Sequence, residues 1–181
     1  MEKIVPNAKR TLFFGPNFSE DDANSMISRL IKFDASKSKN APIFMKISSN
    51  GGNLAGARRL HEGISIHRCP VIGIVAGDAF SAAIIALQAC GQRYATKNSY
   101  FIIHGASHPL KITLTENSNL MEISKILRKN KKEVRDANSF VLDILEKKMT
   151  IKREEIKALM DEGRKINAKE ALRFGLIDEI I

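Results

Sequence analysis

Short apolar runs alternate with helical patterns along this chain, and no other feature of the sequence limits its fold so strongly. The apolar runs cover residues 11–14, 43–47, 71–75 and 100–103. Helical patterns cover residues 54–67 and 81–90, between the later runs. Strands that alternate with helices are typical of right-handed βαβ units around a mainly parallel sheet, so we predict an α/β fold. In such sheets, ligand sites lie at the carboxyl ends of the strands.

Residues at the ends of the predicted helices support this interpretation. Ser19 and Asp22 have the spacing of a capping box, and Asn167 and Glu170 repeat it. Gly175 stands where a left-handed residue would end a helix.

Apolar positions predict one long or broken helix over residues 117–148, with a largely charged middle. A helix of about 30 residues extends roughly 45 Å, more than a domain of this size needs. We therefore expect part of it to project and to pack against another subunit.

The length and composition suit one domain, which we take as residues 1–181. No apolar run approaches the ~20 residues of a membrane helix, and the first residues lack the apolar core of a secretory signal. These observations predict a cytoplasmic protein with no membrane contact. Cys69 and Cys90 lie in apolar segments without CxxC spacing, which favours reduced core thiols.

The formal net charge of +9 makes nucleic-acid binding a class to consider. The densest basic run, residues 128–132, lies inside a helical pattern and has no aromatic residue beside it. We therefore interpret this run as a solvated helix face and expect no nucleic-acid partner.

Candidate catalytic groups follow the predicted strands, where a parallel sheet would gather them in one cleft. Acyl transfer needs a nucleophile, a base and donors aimed at the oxyanion. Ser81 follows the strand 71–75 after a turn that contains Gly77, and it opens a helix. The N–H of Ala82 would then lie at a helix N-terminus, where partial positive charge collects.

Two further segments could complete such a site. The turn Ser49-Asn50-Gly51-Gly52 offers a second oxyanion donor, with the amide of Gly52 as the best candidate, because glycine allows close approach of a substrate. His104 follows the strand 100–103 and is the candidate base. Taken singly, a serine at a helix start, a glycine turn or a histidine after a strand more often has a structural role. Only the occurrence of all three in this order along the chain favours catalysis.

At these residues the sequence resembles the ClpP family of self-compartmentalising serine peptidases, from about Arg10 to Ile181. The matched motifs are Ser49-Asn50-Gly51-Gly52, Gly77-Asp78-Ala79-Phe80-Ser81, Ile103-His104, Ala168-Lys169-Glu170-Ala171 and Gly175-Leu176-Ile177-Asp178. The resemblance implies that Ser81 is the nucleophile and His104 the general base. It also implies that the amides of Gly52 and Ala82 form the oxyanion hole.

The resemblance implies an architecture and partners as well. The expected fold is a ClpP/crotonase-like ββα spiral with a long projecting handle helix, here about residues 117–148, which joins stacked rings of identical subunits. The expected activity is that of a serine endopeptidase, which cleaves peptides or unfolded proteins inside the chamber without a cofactor or metal. An AAA+ unfoldase is a further implied partner. That partnership is left open, because the chain begins shortly before Arg10 and lacks most of the segment that docks the unfoldase in the family.

The sequence departs from the family pattern at the third catalytic residue. Gly163 occupies the position of the family's orienting aspartate. A small loop shift could bring in Asp161 or Glu162, and Asp161 is preferred if side chains alternate there. A Ser-His dyad without an acid is the remaining alternative, whereas Asp178 is expected to be structural. Loss of the acid in such a triad can lower turnover by about 10⁴.

Two other functions are therefore left open. One is a non-catalytic or weakly active ClpP-like subunit that assembles with an active paralogue, which Gly163 favours. The other is an acyl-CoA enzyme of the wider crotonase fold, because a fold does not fix a function. His61, His67 and His108 match no catalytic position and are expected to be structural or exposed, and no histidine spacing indicates a metal site.

Overall fold

The computed structural model describes residues 6–35, 41–107 and 119–181. These parts form an α/β fold whose elements follow in chain order. The strands are β1 (Thr11–Phe14), β2 (Ile43–Ser49), β3 (Val71–Phe80), β4 (Gln92–Ala95), β5 (Tyr100–Ile102), β6 (Lys165–Asn167) and β7 (Glu179–Ile180). The helices are α1 (Glu20–Asp34), α2 (Leu54–Ser65), α3 (Ala82–Gln88), α4 (Leu120–Glu146), α5 (Arg153–Glu162) and α6 (Ala168–Arg173).

The sheet is mainly parallel, as predicted. Strands β1, β2, β3, β4 and β7 lie side by side in that order, and β5 pairs with both β3 and β6. Among these ladders, only that between β5 and β6 is antiparallel. All seven residues of α3 are buried, which places this helix in the centre of the core.

Strand β3 is longer than we predicted. We expected a strand ending at Val75 and then a turn at Gly77, but β3 continues to Phe80. Gly77 has a φ of 120°, and the β2–β3 register shifts between Ile47 and Ser49, so the chain bulges here instead of turning. Before the bulge β3 pairs with β4, and after it β3 pairs with β5. This change of partner leads the chain directly into Ser81.

The predicted helix ends are confirmed. The Ser19 side chain accepts from the N–H of Asp22, and the Asp22 carboxylate accepts from the N–H of Ser19. Asn167 and Glu170 form the second capping box in the same way. Gly175 follows α6 with a φ of 71°.

Helix α4 is a single helix of 27 residues, so the alternative of a broken helix is wrong for this part of the chain. Its C-terminal part buries Val141, Ile144 and Leu145. Its N-terminal part projects, with Leu120 81% and Met121 67% exposed. The basic run 128–132 lies largely exposed on it, as predicted. The start of the predicted handle, residues 117–118, and His108 lie outside the described residues.

Both cysteines are buried and neither forms a disulfide, as predicted. Burial raises the pKa of Cys90 to about 12. Asp178 pairs with Arg93, whose side chain is buried, which is consistent with the structural role expected for Asp178. Within residues 6–35, 41–107 and 119–181, none of the helices has the length and apolar character needed to span a bilayer.

Candidate active site

The four residues predicted to carry the chemistry line one cavity of about 110 Å³. They are Gly52, Ser81, Ala82 and His104. The rest of the wall is mainly apolar and comes from α2, α3, α4 and the segment after β5; it includes Leu54, Ile84, Ile85, Ile103, Ala106 and Val141. The strand ends therefore meet in one cleft, as the parallel sheet predicts.

Ser81 occupies a strained turn between β3 and α3. Its φ of 52° and ψ of −118° make it the one non-glycine residue of the described chain with a positive φ. Such a conformation costs about 1–3 kcal/mol and persists only where the surroundings impose it. Here β5 imposes it, because the N–H of Ser81 donates to the carbonyl of Ile102 at 2.8 Å. A sharp strand-to-helix turn of this kind exposes a nucleophile's side chain.

The glycine turn after β2 packs directly against Ser81. A Cβ atom on Gly51 would lie 2.8 Å from both the Ser81 Cβ and the Phe80 carbonyl oxygen. A Cβ atom on Gly52 would lie 2.1 Å from the carbonyl oxygen of Phe18, which is bridged to this turn. Only glycine fits at these two positions, where the backbone also has positive φ.

Two backbone amides beside Ser81 have no acceptor in the part of the chain that the structure describes. Ala82 is the first residue of α3, so its N–H lies outside the hydrogen-bond ladder of the helix. Among the described residues, neither this N–H nor that of Gly52 donates a hydrogen bond. Both residues line the cavity, so two donors are available to an anionic oxygen there.

The exposed ring of His104 is held by its own chain. Its Nδ1 lies 2.7 Å from the carbonyl oxygen of Gly105. Because a carbonyl only accepts, Nδ1 is the donor in this contact, which assigns the lone pair of the neutral ring to Nε2. The described contacts include no direct hydrogen bond between the ring and the Ser81 hydroxyl. Such bonds are often long in ligand-free sites and tighten on substrate binding.

No carboxylate hydrogen-bonds to the His104 ring within the described residues. Gly163 ends α5 in the left-handed conformation, and a Cβ atom there would lie 3.6 Å from the Cβ of His104. Gly163 therefore lies beside His104. Asp161 and Glu162 lie in α5, so the alternation of side chains expected there is wrong. Glu162 pairs with Arg164 instead, and Asp161 is exposed and pairs with none of the described residues. Sequence reasoning overlooked the acceptor present here, the Gly105 carbonyl, because every residue has one.

A larger groove of about 680 Å³ continues from the cavity. It shares Gly52, Leu54, Ala106 and Ser107 with the cavity and extends between α2 and α4. Asn53, at its edge, caps α2 through a hydrogen bond from the N–H of Gly56 at 2.6 Å. The cavity is therefore open to an extended ligand on this side.

The remaining described histidines have other surroundings. His61 is half-buried on α2, and burial lowers its pKa. The His67 ring is buried, with Nε2 2.9 Å from the Leu30 carbonyl and Nδ1 accepting from the N–H of Cys69. Its ring nitrogens, Asp34 and Cys69 lie within 4.8 Å of one another, a grouping that sequence spacing did not reveal. Protein hydrogen bonds occupy both ring nitrogens, and Arg10 donates to the Cys69 sulfur. The Oδ1 atom of Asp34, 3.4 Å from Nε2 of His67, is buried and accepts no hydrogen bond from the described residues.

Comparisons with known proteins agree with the predicted family and fold. The family model described as Clp protease matches residues 4–181. The chain is 28% identical to the ATP-dependent Clp protease proteolytic subunit of Deinococcus radiodurans, over 95% of this chain and 80% of that protein. It is 29% identical to the ATP-dependent Clp protease proteolytic subunit 3 of Synechococcus sp. strain CC9902, over 96% of this chain and 82% of that protein.

Among solved structures, a mutant of ClpP1 from Listeria monocytogenes matches with a TM-score of 0.79 at 20% identity. The match covers 96% of this chain and 91% of that one. It confirms the predicted ClpP/crotonase-like α/β fold with its long helix.

Proposed function

Since the chain belongs to the Clp protease family, we propose that it is a serine endopeptidase with Ser81 as nucleophile and His104 as general base. The observation that carries this proposal is the strained turn of Ser81, which opens into the same cavity as His104 and two unpaired amides. Strain of this kind is retained where it serves a function.

The proposed reaction proceeds through an acyl-enzyme. The Ser81 oxygen attacks the carbonyl carbon of the peptide while its proton passes to Nε2 of His104. The amides of Gly52 and Ala82 donate to the oxyanion of the tetrahedral intermediate. When the intermediate collapses, the C–N bond breaks and the amine leaves with the proton from His104. Water, deprotonated by His104, then hydrolyses the ester on Ser81.

The Gly105 carbonyl orients His104 in this mechanism, but it contributes less than a carboxylate would. It fixes the tautomer through the 2.7 Å bond to Nδ1. It carries no full negative charge to stabilise the imidazolium that forms in the transition state. We therefore expect slow turnover, although the nucleophile and base are both present.

We also propose that the chain works as a homo-oligomer built from stacked rings. Exposed apolar residues on α4 support this: Leu120, Met121, Ile126 and Leu127. The relatives named above are subunits of ATP-dependent proteases. By likeness to them, the partner would be an AAA+ unfoldase and the substrate an unfolded protein.

Cleavage of a fluorogenic peptide by the wild type and by Ser81→Ala tests the activity. We expect measurable cleavage by the wild type and none by S81A, with the same elution volume in size-exclusion chromatography. Cleavage by S81A at the wild-type rate would refute the assignment of the nucleophile.

A weakly active or non-catalytic subunit is the second candidate, and it is favoured because no carboxylate of the described residues hydrogen-bonds to His104. In that case the wild type would cleave peptides no faster than S81A. Activity would then appear only when an active paralogue is present in the same assembly.

A further inference from the structure

Asn138 on α4 contacts the segment that carries His104. Its Oδ1 accepts a hydrogen bond from the N–H of Ala106 at 2.5 Å, across 32 residues of sequence. The same amide group packs on Gly105, where a Cβ atom would lie 3.4 Å from both Oδ1 and Nδ2 of Asn138. Asn138 is half-buried, so α4 holds this segment from one side.

Helix α5 holds the segment from the other side. The N–H of Gly105 donates to the carbonyl of Met160 at 3.2 Å. The backbone on both sides of the Gly105 carbonyl is therefore anchored, once by α5 and once by Asn138. This carbonyl is the group that accepts from Nδ1 of His104.

We propose that Asn138 is a positioning residue for His104. By holding the N–H of Ala106, it fixes the peptide plane that presents the Gly105 carbonyl to Nδ1, and so keeps the lone pair on Nε2. Asn138 touches neither the ring nor the Ser81 hydroxyl in the described contacts. Its effect on catalysis rests on the proposed peptidase function, whereas its effect on the ring does not.

Peptide cleavage by three variants measures the catalytic effect. Asn138→Ala leaves the part-buried N–H of Ala106 without its acceptor and frees the peptide plane. We expect kcat to fall by about 10²-fold with little change in KM, as for other small misplacements of a catalytic group. Asn138→Asp keeps an oxygen acceptor and should stay within a few-fold of the wild type. Ser139→Ala, on the exposed side of the same helix, is the matched control and should not change kcat.

The tautomer of His104 provides a readout that does not depend on activity. The chain has four histidines, so ¹⁵N-histidine NMR gives few signals, and His104→Ala assigns one of them. We expect the Nδ1–H tautomer in the wild type and N138D, and a mixture of tautomers in N138A. An unchanged tautomer in N138A would overturn the proposal, whatever its kcat.

The two proposals can fail separately. If the wild type cleaves no peptide but N138A still loses the tautomer, Asn138 positions His104 and the peptidase assignment fails. Should N138A not fold, Asn138→Gln gives the same contrast, because it keeps the amide but moves its oxygen one methylene farther out. A wild-type tautomer and wild-type kcat in that variant would also overturn the proposal.

Discussion

On the proposed mechanism, Gly163→Asp should raise kcat. A Cβ atom at this position has room, because its nearest neighbour among the described residues would be the Cβ of His104, at 3.6 Å. Gly163 has φ 59° and ψ 25°, and aspartate and asparagine are among the non-glycine residues that best tolerate this left-handed region. The substitution should therefore cost about 1–2 kcal/mol of folding free energy without disrupting the helix end.

The gain in rate follows from the charge of the new acceptor. A hydrogen bond to a neutral partner contributes about 0.5–1.5 kcal/mol, and one to a charged partner about 1.5–3 kcal/mol. The imidazolium that forms in the transition state would gain this difference, about 1–2 kcal/mol, which corresponds to a roughly 5- to 30-fold higher kcat. The full effect of an aspartate in a triad, about 10⁴, sets the upper limit.

Steady-state cleavage of one fluorogenic peptide measures this effect in the wild type, G163D and G163N. Asparagine matches the size and the backbone tolerance of aspartate but carries no charge. We expect the rise in kcat in G163D alone. An equal rise in G163N, or a lower kcat in a folded G163D variant, would refute the argument from charge.

Three further predictions concern the strained backbone of Ser81, the ion pair between Asp178 and Arg93, and the side chains that line the cavity. Ser81→Gly should unfold at a higher temperature than Ser81→Ala, because glycine adopts a φ of 52° freely. The difference should correspond to about 1 kcal/mol or more in the free energy of unfolding. Equal melting temperatures of the two variants would argue against strain at Ser81. Burial alone would raise the pKa of Asp178, but the hydrogen bonds and charge of Arg93 outweigh it and hold this pKa below its usual value. Asp178→Asn should therefore lower the melting temperature at pH 7, and the difference should vanish as the pH falls through the folded-state pKa; a difference that is constant down to pH 3 would contradict this. Because the aliphatic side chains of Leu54, Ile84, Ile85, Ile103 and Val141 line the cavity, peptides with an aliphatic side chain before the scissile bond should be cleaved at least about 10-fold faster than those with lysine. Equal rates would exclude this cavity as the side-chain pocket.

Local signals in the sequence were sufficient to predict several helices and strands. Strand β1 begins and ends where the apolar run does, and both capping boxes form as predicted, because these patterns depend on neighbouring residues. We predicted a turn at Gly77 where the structure has a bulge, because a glycine between apolar residues is typical of both. Pairing with β5, which is remote in sequence, decides between them. Strand β4 and helix α5 were not predicted, because β4 is short and α5 is largely charged.

The candidate site was predicted in its parts but not in its geometry. Motif order predicts that Gly52, Ser81, Ala82 and His104 meet in one cleft, and these four residues line one cavity. The strain at Ser81 could not be read from the sequence, because it arises from the bond to the Ile102 carbonyl. The Gly105 carbonyl and Asn138 carry no sequence signal either, since a backbone acceptor and a lone asparagine are common everywhere.

Mass spectrometry after treatment with a fluorophosphonate tests the central claim most directly. This reagent forms a covalent bond with an activated serine, and it needs no knowledge of the natural substrate. We expect one modification per chain, located on Ser81, absent in Ser81→Ala and lost or strongly slowed in His104→Ala. An assembled wild-type protein that remains unmodified, or one modified equally fast without His104, would contradict the claim that His104 activates Ser81.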